Sequence, residues 1–148
     1  MGASSWDYFV PYQPDLNAAL DALRRKVFAD RDYLWPPGTV VGSDESQVIS
    51  PPSTMAEILD DEWFWEVGTH SILDMLRVVG ENDSPDHRDV RPVRLDEAVR
   101  RTGTDLLTRD HVEIIQDLAE ERWIGRCAVL YDLHGRPTEI YFWGFSGD

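Results

Sequence analysis

WIGRCAVLY, Trp123 to Tyr131, and TEIYFWGF, Thr138 to Phe145, are two apolar runs rich in β-branched and aromatic residues. The polar connection Asp132-Leu133-His134-Gly135-Arg136-Pro137 separates them. Apolar runs of this length joined by a short Gly- and Pro-containing segment predict a β-hairpin. Alternate residues of a strand point to opposite faces. Trp123, Cys127, Val129 and Tyr131 therefore share one face of the first strand, and Ile124, Ala128 and Leu130 the other. In the second strand Ile140 and Phe142 lie opposite Tyr141, Trp143 and Phe145. Strands that are apolar on both faces are central and covered twice, so the hairpin is expected to be the core of the fold.

Working outward, WDYFVPY (Trp6 to Tyr12) reads as a first strand with Trp6, Tyr8, Val10 and Tyr12 on one face. Pro11 lacks an amide donor and places this strand at an edge. Pro14-Asp15 opens a helix whose apolar stripe is Leu16, Ala19, Leu20, Leu23 and Val27. Leu34 to Ser53 is rich in Pro, Gly and Ser and predicts a long loop. Loops of that length tend to be lids, binding loops or mobile segments. Thr54 with Glu57 is a capping box for a helix that runs into Trp63-Phe64-Trp65 and ends at Gly68. Ser71 to Val79 fits helix or strand, and the hairpin's need for a partner favours strand. Glu81 to Arg94 reads as loop, Leu95 to Arg101 as a short helix ended by Gly103, and Arg109 to Glu121 as a last helix capped by Thr108. The expected fold is α+β: an approximately four-stranded, mainly antiparallel sheet with three to four helices, in one domain over residues 1–148.

Composition narrows the function classes. The formal net charge is −14, and Lys26 is the only lysine beside the arginines. Such a surface argues against binding nucleic-acid phosphates, whose affinity depends on Lys and Arg. It permits binding to a basic protein surface, which it would also steer; the plain reading of the charge is solubility. No apolar run is long enough to predict a membrane span, and the opening MGASSWDYF lacks the basic and apolar regions of a secretory signal. Cys127 is the only cysteine, which rules out an internal disulfide and a Cys-based zinc site. A cytoplasmic protein without cofactor or metal is expected.

No nucleotide-binding glycine loop, zinc-protease helix, serine elbow or CxxC pair occurs, and none of the four His has a second at metal-ligand spacing. The densest polar cluster is Glu66-Val67-Gly68-Thr69-His70-Ser71-Ile72-Leu73-Asp74. Glu66, His70 and Asp74 are its candidates for acid–base work, because an imidazole beside carboxylates titrates near neutral pH. Neighbours on a strand face apart, so His70 and Ser71 cannot form a nucleophile–base pair there. Thr69 and Ser71 are expected to satisfy backbone groups at a turn. Asp74 falls on a buried face in the strand reading and needs a partner, for which Arg126 is the candidate. Asp60, Asp61, Glu62 and Glu66 surround Trp63 and Trp65, and apolar anchors ringed by carboxylates suit protein recognition.

WDYFVPYQPDL (6–16), GTHSILDM (68–75) and IYFWGFSGD (140–148) together resemble a group of small single-domain bacterial proteins of unassigned function. The resemblance implies one compact domain and carries no catalytic motif. The expected function is an acidic protein-binding domain of the immunity type, which would neutralise a basic toxin. The alternative is a small-molecule enzyme or ligand-binding domain with its pocket at the Gly68–His70 turn.

Overall fold

A computed structural model describes residues 4–35 and 52–146. Most of the Leu34–Ser53 loop, residues 36–51, lies outside them. The strands are β1 (Ser4–Pro11), β2 (Arg77–Val78), β3 (Asp89–Pro92), β4 (Gly125–Tyr131) and β5 (Pro137–Ser146). They form one five-stranded sheet in the order β1-β5-β4-β3-β2. The hairpin β4–β5 lies inside it, as its doubly apolar pattern requires. β5 pairs antiparallel with β4 and with the edge strand β1, whereas β3 and β2 add in parallel to the other side of β4.

The fold is α+β, but the sheet is five-stranded and mixed rather than four-stranded and mainly antiparallel. The fifth strand, β3, sits in the stretch expected to be loop. Its Asp89 is buried and paired instead of solvated. Arg77 clamps Asp89 through Nε at 2.9 Å and Nη2 at 3.3 Å, while Val90 between the charged residues is fully buried. The Ser71–Val79 strand contracts to the two residues of β2. Ser71 accepts a hydrogen bond from the Leu73 amide and starts a single tight turn over Ile72–Asp74 instead.

Helices cover both faces. α1 (Leu16–Ala29) is capped by Asp15, whose Oδ1 accepts from the Ala18 amide, and it buries Ala19, Leu20, Leu23 and Val27 as its stripe predicts. The helix expected from Thr54 onward divides into α2 (Met55–Leu59) and α3 (Glu62–Glu66). Asp61 makes the break, because its carboxylate caps α3 at the Trp63 amide. Glu57 also completes the box differently, accepting from Ser53 rather than Thr54. α4 (Leu95–Thr102) ends at Gly103 in the left-handed region, φ 81°. The last helix shrinks to α5 (Val112–Ile115) between tight turns at Arg109–His111 and Gln116–Leu118. Sheet side chains hold the open end: Trp143 Nε1 donates to the Gln116 carbonyl and Arg126 Nη1 to that of Leu118.

Two cores result. On one face Trp6, Leu20, Ile58, Phe64, Ile72, Val90, Ile140 and Phe142 pack together beneath α1, α2 and α3. On the other, Ala98, Val112, Ile115, Leu130, Tyr141 and Trp143 pack beneath α4 and α5. Gly144 allows the first core to close. A Cβ there would come within 2.9 Å of the Trp6 ring, closer than packed atoms allow.

Candidate functional site

The acidic aromatic stretch becomes a surface because α3 is short and amphipathic. Phe64 points into the core and is fully buried, whereas Trp65 beside it is 51% exposed. Trp65 is nonetheless held in place. Its Nε1 donates to the Leu59 carbonyl at 2.8 Å. Its ring meets Phe64 edge-on at 5.1 Å, and the Arg88 guanidinium lies 4.9 Å from it. Leu59 is also exposed and adds apolar surface beside the indole. Asp60, Glu62 and Glu66 are exposed, and Asp61 is half-buried by its capping role. Among the described residues none of these four carboxylates is in an ion pair. Trp63 differs from Trp65: it is half-buried and packs edge-on against Trp35 at 5.4 Å.

Arg88 organises the ground beneath this surface, and nothing in its polar neighbourhood marked it in the sequence. It sits in the left-handed region at φ 72° and is buried. Its guanidinium lies 4.1 Å from the Phe64 ring centre and 4.5 Å from that of Trp123. Nη2 donates to the Phe64 carbonyl and Nη1 to that of Asp74. Burial pulls the Arg88 guanidinium below its usual value, and Asp74 opposes that pull.

Asp74 is fully buried and its ion-pair partner is Arg88, at 3.8 Å, not Arg126. The tight turn aims the side chain back at its own loop. Oδ1 accepts from the Thr69 amide at 2.6 Å and the Thr69 hydroxyl at 3.0 Å. Oδ2 accepts from the Ser146 hydroxyl, which itself accepts from Trp6 Nε1 at 3.3 Å. Thr69 and Ser71 do serve the turn: their hydroxyls lie 2.7 Å apart. Gly68 adopts φ 82°, and the Trp123 ring stands 2.7 Å from where its Cβ would be. His70 is half-buried at φ 52°. No hydrogen bond or ion pair among the described residues joins Glu66, His70 and Asp74 to one another. The five clefts described are lined by other residues than Gly68, His70 and Asp74.

Arg126 binds Glu97 instead, through Nη2 at 2.6 Å and Nη1 at 3.2 Å, and its remaining donors reach the Arg91, Pro92 and Leu118 carbonyls. This pair ties α4 to β4. Burial works upward on Glu97, but the bonds from Arg126 and from the Arg94 amide outweigh it, and the carboxyl lies below its ordinary value. A depressed folded value means that the stabilisation is present above the unfolded-chain value, roughly pH 4.3, and is lost as pH falls through the folded one. Glu97→Gln is therefore expected to lower the urea midpoint at neutral pH and to flatten its fall below that pH. An acid limb as steep as that of the unaltered protein would show that Glu97 does not contribute to it.

Burial also pushes the Cys127 thiol up to about 12, so it is not a reactive group. Among the described residues no helix is long and apolar enough to cross a membrane, and no three His, Cys, Asp or Glu side chains converge to hold a metal ion. No protein-family model matches this chain, and no curated protein or solved structure matches it either.

Proposed function

We propose that this chain is an acidic protein-binding domain that takes a basic protein surface on its α2–α3 face, as an immunity protein takes a cationic toxin. The observation that carries the reading is Trp65, an indole half open to solvent yet pinned by a hydrogen bond, an aromatic edge and a guanidinium. A side chain already ordered loses little freedom on binding, which is what a hot-spot anchor needs. Asp60, Asp61, Glu62 and Glu66 form the charged rim, and the net charge of −14 steers a cationic partner toward it. Trp63 is half-buried and packed on Trp35, which leaves Trp65 as the anchor.

The test titrates the chain with a purified basic nuclease-type toxin domain as the probe. Trp65→Ala is expected to weaken the complex by on the order of 2 kcal/mol, mainly through the off-rate, with a small change in thermal midpoint. Neutralising Asp60, Asp61, Glu62 and Glu66 together is expected to lower the on-rate and its salt dependence. A Trp65→Ala protein that stays folded and binds as tightly as before would remove the anchor and the proposal with it.

A further inference from the structure

β1 is the outer strand on the hairpin side, and among the described residues no strand pairs with its free edge. The Tyr12 amide donates to the Thr138 carbonyl, in the register that pairs Val10 with Ile140, Tyr8 with Phe142 and Trp6 with Gly144. In an antiparallel ladder alternate residues turn both backbone groups toward the partner. Ser5, Asp7 and Phe9 therefore turn theirs away from β5, toward the free edge. Pro11, next in this series, has no amide to offer and ends the usable edge.

The side chains of Ser5, Asp7 and Phe9 lie on the α5 side of the sheet and are exposed. Beside them opens a recess of about 210 Å³ lined by Ser5, Asp7, Gln116, Ala119, Tyr141 and Trp143, among others. A cavity of roughly 150 Å³ already holds a benzene-sized group, so one long side chain fits. Its polar groups are oriented. Tyr141 donates its hydroxyl to Asp7 Oδ2 at 3.0 Å and accepts from Gln116 Nε2 at 3.2 Å. Burial pushes the Tyr141 hydroxyl up to about 12, so it stays a donor. Trp143 Nε1 is spent on the Gln116 carbonyl. Asp7 is the one charged residue in this lining, and its Oδ1 takes no hydrogen bond among the described residues. Such a recess suits a cation.

We infer that the free edge of β1 binds an extended, basic segment of a partner protein, which adds as a sixth strand to the five of the sheet and places an Arg or Lys side chain in the recess beside Asp7. Strand addition takes its affinity from backbone bonds and its specificity from pockets for alternate side chains. The residue directly opposite Asp7 points to the same face as Asp7, into the recess. A second copy of this chain is the wrong occupant. The register that uses all three outward residues of both copies sets Asp7 opposite Asp7, and like charges directly opposite are destabilising. Each copy also carries a net charge of −14. This site lies on the other face of the sheet from Trp65 and stands independently of the reading of that surface.

The test titrates the full chain with a blocked Thr-Arg-Thr-Arg-Thr-Arg-Thr peptide and follows backbone amides by NMR. Shifts are expected at Ser5, Asp7 and Phe9. N-methylating the peptide amides that face β1 should weaken binding at least tenfold, with no change to the protein. Ser5→Pro, which removes an outward donor that β5 does not use, should do the same, and Asp7→Asn should weaken binding severalfold. Trp65→Ala should leave the affinity unchanged. The inference is overturned if the N-methylated peptide binds as well as its parent, or if the shifts gather around Trp65. It is equally overturned if sedimentation finds a dimer that Ser5→Pro dissolves, since the occupant would then be a second copy.

Discussion

Phe142→Ala is expected to lower the unfolding free energy by about 3–5 kcal/mol, the range for truncating a buried aromatic. Phe142 has no exposed surface. It sits on β5, with Cys127 of β4 on one side and Tyr8 of β1 on the other, in the core that α1 and α3 cover. Truncation loses the transfer term and leaves a cavity that two flanking strands and the helices above cannot readily close. Urea denaturation measures it directly. A loss under about 1 kcal/mol would mean that the site collapses freely, and would displace the hairpin from the centre of the core.

Asp74→Ala carries the second large effect, by a different route. It leaves the Arg88 guanidinium buried without its counter-charge and deprives the Thr69 amide, the Thr69 hydroxyl and the Ser146 hydroxyl of their acceptor. Removing one member of a buried pair costs about 3–5 kcal/mol, because the survivor stays in low dielectric uncompensated. Arg88→Met should also destabilise, since it strands the Asp74 and Phe64 carbonyls that Arg88 now satisfies. The double variant is expected to lose less than the sum of the two, since neither charge then remains unpaired. Strict additivity in urea denaturation would show that Asp74 and Arg88 act separately, and the loop from Gly68 to Asp74 would owe its shape to packing alone. The same loop lies under the Trp65 surface through Arg88, so Asp74→Ala should also loosen the proposed anchor.

The elements legible in advance share one property: their evidence is local. The hairpin was visible because β4 and β5 are apolar on both faces, and α1 because its stripe, its Asp15 cap and its length agree. Gly103 marked the end of α4 for the same reason, since a left-handed residue favours glycine. The exposed carboxylates around Trp65 were also readable, since α3 is one amphipathic turn with Phe64 on its inner side.

Tertiary structure decided the rest, wherever a residue's role depends on a distant partner. β3 looked like loop because Glu81 to Arg94 is polar and holds two Pro; Arg77 pairs with its buried Asp89, and Arg88 just before it lies against the rings of Phe64 and Trp123. Asp74 and Arg126 both needed a counter-ion, and composition offered each to the other. Only the tight turn at Ile72–Asp74 and the docking of α4 assign Arg88 to the first and Glu97 to the second. Trp63 and Trp65 look equivalent in the sequence, yet Trp35 covers one and solvent the other. Periodicity and capping determined from the sequence which segments form strands and helices; the pairing of buried charges and the exposure of single aromatics were set by contacts between residues far apart in the chain, which no local pattern encodes.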